Sequence, residues 1–306
     1  MKELIKVIVV GLVMTTGLVL AQQDPMYNQY IFNAYTINPA EAGTRTFGTA
    51  SILQRWQWLG VDGAPSTTSF GLEASYRKSW GFGLNTISDR LGPERNQTIN
   101  FSTGYHIRLT EKYFFASGLS FVANQRRVDI SELDVIDDPD DPDLQNINTF
   151  RPNVGGGLLI YSDAFFFGVA LPRWIEYRLT SDAANIALDQ VRHLFIYSGK
   201  IFNLSERVAF KPSTLLKLVS GAPSQFDFNA VVSVRKAFDF GVNYRVGDAV
   251  GLLAGVKLSD RFVLNYSYEM PVSVIRRTSS FNHELGLRYR FGRPSVDNVQ
   301  SPRFFN

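Results

Sequence analysis

The side chains that could do chemistry in this chain are few, and the densest group of them is acidic. Asp134, Asp137, Asp138, Asp140, Asp141 and Asp143 crowd one short stretch, with Glu132 just before it. Calcium takes roughly 6–8 oxygen ligands, so Asp137, Asp138, Asp140, Asp141 and Asp143 are candidate calcium ligands. Against that, the stretch has no glycine-turned Asp-x-Asp-x-Asp-Gly loop, and Pro139 and Pro142 limit how the carboxylates can converge. The expectation is a hydrated acidic loop whose prolines set turns. His106, His193 and His283 are scattered without metal-like spacing, and there is no cysteine. That removes disulfides, thiolate metal sites, redox motifs and a lipoprotein anchor. No nucleophile motif is present, and Gly155-Gly156-Gly157 lacks the lysine and the strand–loop–helix setting of a phosphate loop. Those glycines read as a place where a strand bends or another segment comes close. The chain is expected to be non-enzymatic and to hold no cofactor. With 31 Lys and Arg against 28 Asp and Glu, the charge balance also calls for no nucleic-acid partner.

The elements carrying these residues are strands. From Phe281 to Phe291, the residues Phe281, Leu285, Leu287, Tyr289 and Phe291 alternate with Asn282, Glu284, Gly286, Arg288 and Arg290, His283 being the exception. Successive side chains of a strand face opposite ways, so one face is apolar and the other charged. Glu284, Gly286, Tyr289 and Phe291 together resemble the closing-strand signal of bacterial outer-membrane barrels. Alternating segments recur near 46–56, 65–77, 80–87, 95–108, 112–122, 152–161, 164–171, 191–202, 206–218, 225–235, 238–246, 249–258, 261–269 and 281–291, fourteen in all. Short turns alternate with longer connections at 57–64, 88–94, 123–151, 172–190, 219–224 and 270–280, with one short exception at Gly247-Asp248. An even strand number, short turns at one end and long loops at the other are properties of an antiparallel transmembrane β-barrel. Lipid offers no partner to an unpaired strand edge, so such a sheet must close. The expected fold class is therefore all-β, an outer-membrane barrel of about 14 strands.

The expected organisation is a signal peptide at 1–21, an arm at 22–45, the barrel at 46–292 and a periplasmic tail at 293–306. Lys2 and Lys6 precede an apolar run from Val7 to Leu20, with Val19 and Ala21 at the cleavage positions. Arg77, Glu73, Arg235, Asp239, Arg245, Lys257, Glu269, Glu284, Arg288 and Arg290 are expected to face the lumen, pairing there or lining a water path. Trp56, Trp58, Trp80, Trp174, Tyr113, Tyr161, Tyr197 and Tyr289 fall near segment ends and read as an aromatic girdle at headgroup level. Trp58 and Trp174 are the ones expected at the outer rim, where they could bind carbohydrate or protein.

The arm has no strand pattern, yet it is dense in amides and tyrosines that suit hydrogen bonding to a partner or to the lumen wall. Tyr27, Tyr30, Asn33 and Asn38 are its expected main contacts, and the arm is a candidate to plug the lumen. Gln23, Asp24, Pro25, Tyr27, Gln29, Tyr30, Asn33, Asn38, Pro39, Ala40, Ala42 and Gly43 resemble the mature N-terminal pattern of the PorP/SprF membrane proteins of the type IX secretion system, with Glu41 where the family usually has Tyr. Arg55 to Pro65, Asp89 to Pro93, Pro152 to Gly157, Tyr161 to Asp163 and Val169 to Pro172 extend the resemblance over the mature chain. It implies an outer-membrane component of a pathway that exports surface proteins and gliding adhesins in Bacteroidetes-type bacteria. The partners it implies are secretion-machinery subunits and a secreted surface protein, alongside the outer-membrane lipid and lipopolysaccharide that a barrel meets. The other reading is a pore for small solutes.

Overall fold

The computed structural model describes residues 34–76, 79–129, 146–177, 190–220, 222–272 and 281–292. Its strands are β1 (Gly48–Trp56), β2 (Ser66–Tyr76), β3 (Trp80–Leu91), β4 (Glu94–Arg108), β5 (Phe114–Val128), β6 (Ile147–Tyr161), β7 (Phe165–Leu171), β8 (His193–Lys200), β9 (Phe202–Asn203), β10 (Val208–Val219), β11 (Gln225–Val234), β12 (Phe238–Arg245), β13 (Ala249–Lys257), β14 (Phe262–Pro271) and β15 (Asn282–Phe291). The two-residue β9 continues β8 past Ile201 and pairs with the same neighbour, β10. The staves therefore number fourteen. Each pairs antiparallel with the next, and β15 returns to pair with β1 from Gly48↔Phe291 to Trp56↔His283. The ring is closed, as the alternation predicts.

Four of the short turns share one local device. Thr110, Ser162, Ser205 and Ser259 each turn a side-chain oxygen onto the backbone N–H groups two and three residues on. Small hydroxyl residues form such turns cheaply, because the hydroxyl replaces a backbone acceptor. At the other end the expected loop at 88–94 contracts to Gly92-Pro93, with Gly92 at φ +53°. Likewise β5 and β6 run on to Val128 and back from Ile147, well beyond their apolar segments. The ladder persists there although the outward residues have turned polar, so apolar alternation underestimates these strands.

Hydrophobicity runs opposite to that of a soluble domain. Ile52, Phe70, Leu72, Phe82, Phe101, Phe121, Phe228, Phe240, Leu252 and Leu285 are exposed, whereas Glu73, Asn85, Asn229, Asn243, Asn265, Glu269, Glu284 and Arg288 are buried. An apolar outer band around a polar interior is what lipid requires. No helix among the described residues is long and apolar enough to cross a membrane.

Most of the expected lumen charges face inward: Glu73, Asp239, Arg245, Glu269, Glu284 and Arg288 are buried. Arg235 does not; it sits at φ +52° in the tight turn after β11 and is exposed, because the turn breaks the alternation there. Lys257 and Arg290 are only partly buried, and Lys257 Nζ reaches Asp260 at 2.6 Å. Arg77, the acidic stretch with its calcium candidates, the expected signal peptide and the expected tail lie outside the described residues. The girdle also needs correction: Tyr161 and Tyr197 point inward and are buried, whereas Trp56, Trp80 and Tyr113 are exposed.

The closing pair also explains Gly48, since a side chain there would collide with the Phe291 ring. Phe291→Ala and Gly286→Asp are expected to lower the amount of heat-modifiable barrel in outer membranes, because they strip the aromatic end of the closing strand and put charge and bulk in its middle. Wild-type levels for both variants would show that β15 is not read as an insertion signal.

Candidate functional site: an N-terminal segment on a glycine wall

Residues 34–45 lie inside the barrel. Two single-turn 3-10 helices, Ala34–Thr36 and Pro39–Glu41, are joined through Ile37 and Asn38. Asn38 caps the second: its backbone is extended and its side-chain oxygen accepts from the Ala40 N–H at 2.9 Å. Pro39 follows at the first helical position, where its missing N–H costs nothing. Gly43, at φ +83°, then turns the chain toward β1.

Polar groups of this segment bond to the wall or to the segment itself. Asn38 Nδ2 donates to the Leu158 carbonyl and to the Tyr197 hydroxyl, both at 3.0 Å. Tyr197 in turn donates to Glu41 Oε1 at 2.9 Å, and Thr44 donates to the Glu41 carbonyl at 2.8 Å. His106 Nε2 meets the Ala42 carbonyl at 2.8 Å and its Nδ1 meets the Tyr161 hydroxyl at 3.0 Å. A carbonyl can only accept, so Nε2 carries the proton, and in the neutral ring Nδ1 accepts from Tyr161. Arg45 pairs with Glu73 on β2, and Tyr35 donates to the Leu84 carbonyl at 3.3 Å. Asn38, Ala40, Ala42 and Thr44 have no exposed surface.

The wall beneath them has no side chains. Gly81 pairs with Gly104, Gly104 with Gly118 and Gly118 with Gly157, a row crossing β3, β4, β5 and β6. A Cβ on Gly81 would overlap the Ala42 carbonyl, one on Gly118 the Ala40 amide nitrogen and one on Gly157 the Asn38 side chain. On Gly104 it would stand 2.8 Å from the Ala42 oxygen. Gly71 and Gly83 make the same allowance for the Tyr35 ring. Ala40 also joins a buried cluster with Phe114, Ala116, Leu159, Tyr161, Phe166, Phe195, Tyr197 and Leu215, against which Ile37 packs.

The rest of the lumen is held by paired charge. Arg55 bonds Glu284 and, at 3.2 Å, Glu269. Arg245 reaches Asp227 at 3.2 Å and Glu269 at 3.1 Å, and Asn282 donates to Glu269 at 2.7 Å. Lys211 meets Asp239 at 3.3 Å. Glu284, read from the sequence as part of an insertion signal, is thus also an anchor for Arg55.

Of the expected partner-binding residues, Asn38 and Pro39 are committed to this seat. Asp24, Pro25, Tyr27, Gln29, Tyr30 and Asn33 lie outside the described residues. Trp58, at φ +50° in the β1–β2 loop, has its N–H bonded to Asn282 Oδ1 at 3.1 Å. Trp174 is not at the rim: its ring lies over Gly156, on the lipid-facing side of β6, where it borders an apolar hollow of about 740 Å³ with Trp80, Tyr105 and Leu119. Pro172 crosses Gly155 and Asn38 abuts Gly157, so the triple glycine does serve close approach. The three histidines stay apart, and no cluster of metal-ligating side chains occurs among the described residues. The glycine row escaped sequence reading; its signal is one glycine at matching height in four successive strands, visible only once the register is known.

A family model described as type IX secretion system membrane protein PorP/SprF matches residues 19–289. The chain belongs to the PorP/SprF family. The match runs from before the arm into β15, so the arm and the barrel belong to one family unit. No curated protein matches this PorP/SprF chain. Among solved structures it is similar to a FadL homologue of Pseudomonas aeruginosa, with a TM-score of 0.50 and 12% identity over 88% of this chain and 95% of that one. Omp33 of Acinetobacter baumannii gives 0.49 and 8% over 81% and 100%. The monoaromatic hydrocarbon channel CymD gives 0.48 and 12% over 90% and 95%. At 12% identity the likeness to the FadL homologue is one of fold, an outer-membrane barrel. Family and fold together describe an outer-membrane component of type IX secretion.

Proposed function

We propose that this protein supports the delivery or surface attachment of proteins exported by the type IX machinery, and that its barrel is a closed scaffold, not a solute channel. The observation that carries this reading is the segment 34–45 on its glycine wall. A general pore has no use for a wall stripped of side chains along four strands to receive its own chain. By the usual orientation of such barrels, the short turns face the periplasm and the long connections face outward. Machinery subunits would then be met at the periplasmic side, where segment 34–45 joins β1, and the secreted protein at the outer loops.

The test is a strain whose only copy lacks residues 24–43. The barrel should reach the outer membrane while surface display of exported proteins falls to the level of the gene deletion. Display at wild-type level would reduce the arm to a leader. Loss of solute uptake with secretion intact would favour the pore.

A further inference from the structure

β6 is longer than the neighbour that follows it. Its ladder to β5 runs the whole way from Ile147 to Tyr161, whereas β7 pairs only with Gly156 to Tyr161. Past Leu171 the chain peels off the sheet. The side-chain oxygen of Asn153 accepts from the N–H groups of Trp174 and Ile175, both at 3.0 Å, and the Trp174 ring turns over Gly156. The backbone groups of an antiparallel strand face its two neighbours by turns, one residue to one side and the next to the other. The Val154 carbonyl accepts from the Trp174 N–H at 2.8 Å and the Pro152 carbonyl accepts from the Tyr177 hydroxyl, so the even-numbered residues of β6 face away from β5. Asn148 and Phe150 are the next two in that series. Their N–H and C=O groups point to a side on which no strand lies among the described residues. Pro152 shares the orientation, and a proline is tolerated in a sheet where its missing N–H would have met no ladder. Phe150 is 67% exposed, more than any other large hydrophobic side chain among the described residues, and its cross-strand partner is the polar Gln125. An open edge is not tolerated in hydrocarbon, so this stretch stands clear of the lipid core at the long-loop end.

We propose that Asn148 and Phe150 are a strand-addition site, at which an extended segment of the exported protein pairs with β6 and covers the Phe150 ring with an apolar side chain. Two donors and two acceptors alternating along about 7 Å of strand are the complement of an extended polypeptide backbone. Main-chain bonds give such a site affinity with little demand on sequence, and Phe150 supplies the preference. The edge lies at the long-loop end, the outer surface in the usual orientation of such barrels, which puts exported protein rather than periplasmic subunits within reach. A second copy of this chain would offer only the same two residues, far short of the roughly 1,000 Å² that a stable interface buries. The inference rests on the secretion reading above and gives it a point of contact.

The test uses strains whose only copy carries a variant. Asn148→Pro with Phe150→Pro deletes the two outward N–H groups and no donor to β5, so the barrel should keep its heat-modifiable form. Display of the surface protein that is lost from the gene-deletion strain should fall at least about tenfold, because two main-chain bonds go and two partner carbonyls are left unmet. Phe150→Ala keeps both donors and should lower display by no more than about threefold. A photo-crosslinking residue in place of Asn148 should form a covalent adduct with that surface protein, and this carries the test if the double proline variant does not fold. Wild-type display by the folded double variant overturns the proposal. So does an adduct formed only with a second copy of the barrel or with a periplasmic subunit. Wild-type display in the gene-deletion strain would remove the secretion reading and this site with it. Loss of display on removing residues 24–43 but not in the double proline variant would remove this site alone.

Discussion

Gly118→Val is expected to turn an electrically quiet barrel into a conducting one. The first atom of any side chain at this position overlaps the backbone nitrogen of Ala40, and backbone cannot rotate away as a flexible side chain can. Valine adds two methyl groups to that collision, while overpacking by much less costs about 1–3 kcal/mol in well-packed interiors. The strand is fixed on both sides by ladders to β4 and β6, so the segment moves, not the wall. Leaving would break the bonds of Asn38 to Leu158 and Tyr197 and that of Ala42 to His106. In planar bilayers the variant should show steady conductance where wild type and Leu119→Val, its outward-facing neighbour, show none. A folded variant as silent as wild type would mean that the segment does not close the lumen.

The second large effect is expected from Arg245→Leu. Arg245 is almost wholly buried and bridges Asp227 on β11 to Glu269 on β14, with Asp248 sharing Nη1 with Glu269. Removing it leaves buried carboxylates short of a cation, and breaking a buried pair from one side costs about 3–5 kcal/mol. The barrel should lose its heat-modifiable form at lower temperature and unfold at lower urea concentration. Arg245→Leu with Asp227→Leu should recover part of the loss, because it removes an orphaned charge along with its partner. Equal stability of Arg245→Leu and wild type would show that water, not Arg245, satisfies these carboxylates.

The barrel was legible in the sequence because lipid imposes period two on its outer face, and each of the fourteen segments carries enough of that period to be counted. Where lipid ends, the signal ends. Arg127 and Asn148 are as firmly paired as Phe121 and Val154, yet nothing apolar marks them. Position near a strand end also misleads without parity: Tyr161 follows the inward-facing Leu159, and it is this parity that turns its ring to His106 and away from the headgroups. The arm was visible as a stretch rich in amides and small residues, but its seat was not. Gly81, Gly104, Gly118 and Gly157 stand in four separate segments, and only strand register lines them up. Glu41 shows the limit from the other side. It departs from the usual tyrosine of the family, and the hydroxyl it accepts from belongs to Tyr197, far away in the chain.

The seat itself can be tested without reference to any partner. The chain has no cysteine, so an introduced pair has no competitor. A Cβ on Gly83 stands 3.7 Å from the Cβ of Ala42, within the separation that a disulfide spans; the Tyr35 ring, 3.0 Å from that Cβ, has to give by only a few tenths of an ångström, and the periplasm is oxidising. Ala42→Cys with Gly83→Cys should therefore link spontaneously in cells, recovered from outer membranes as a cross-linked peptide with neither thiol open to alkylation. Ala42→Cys with Leu252→Cys, whose second position faces lipid, should stay reduced. If both thiols of the first pair alkylate freely in a folded barrel, residues 34–45 do not rest on the wall of β3 to β6, and the occupied lumen on which this account depends is not the state of the protein in the membrane.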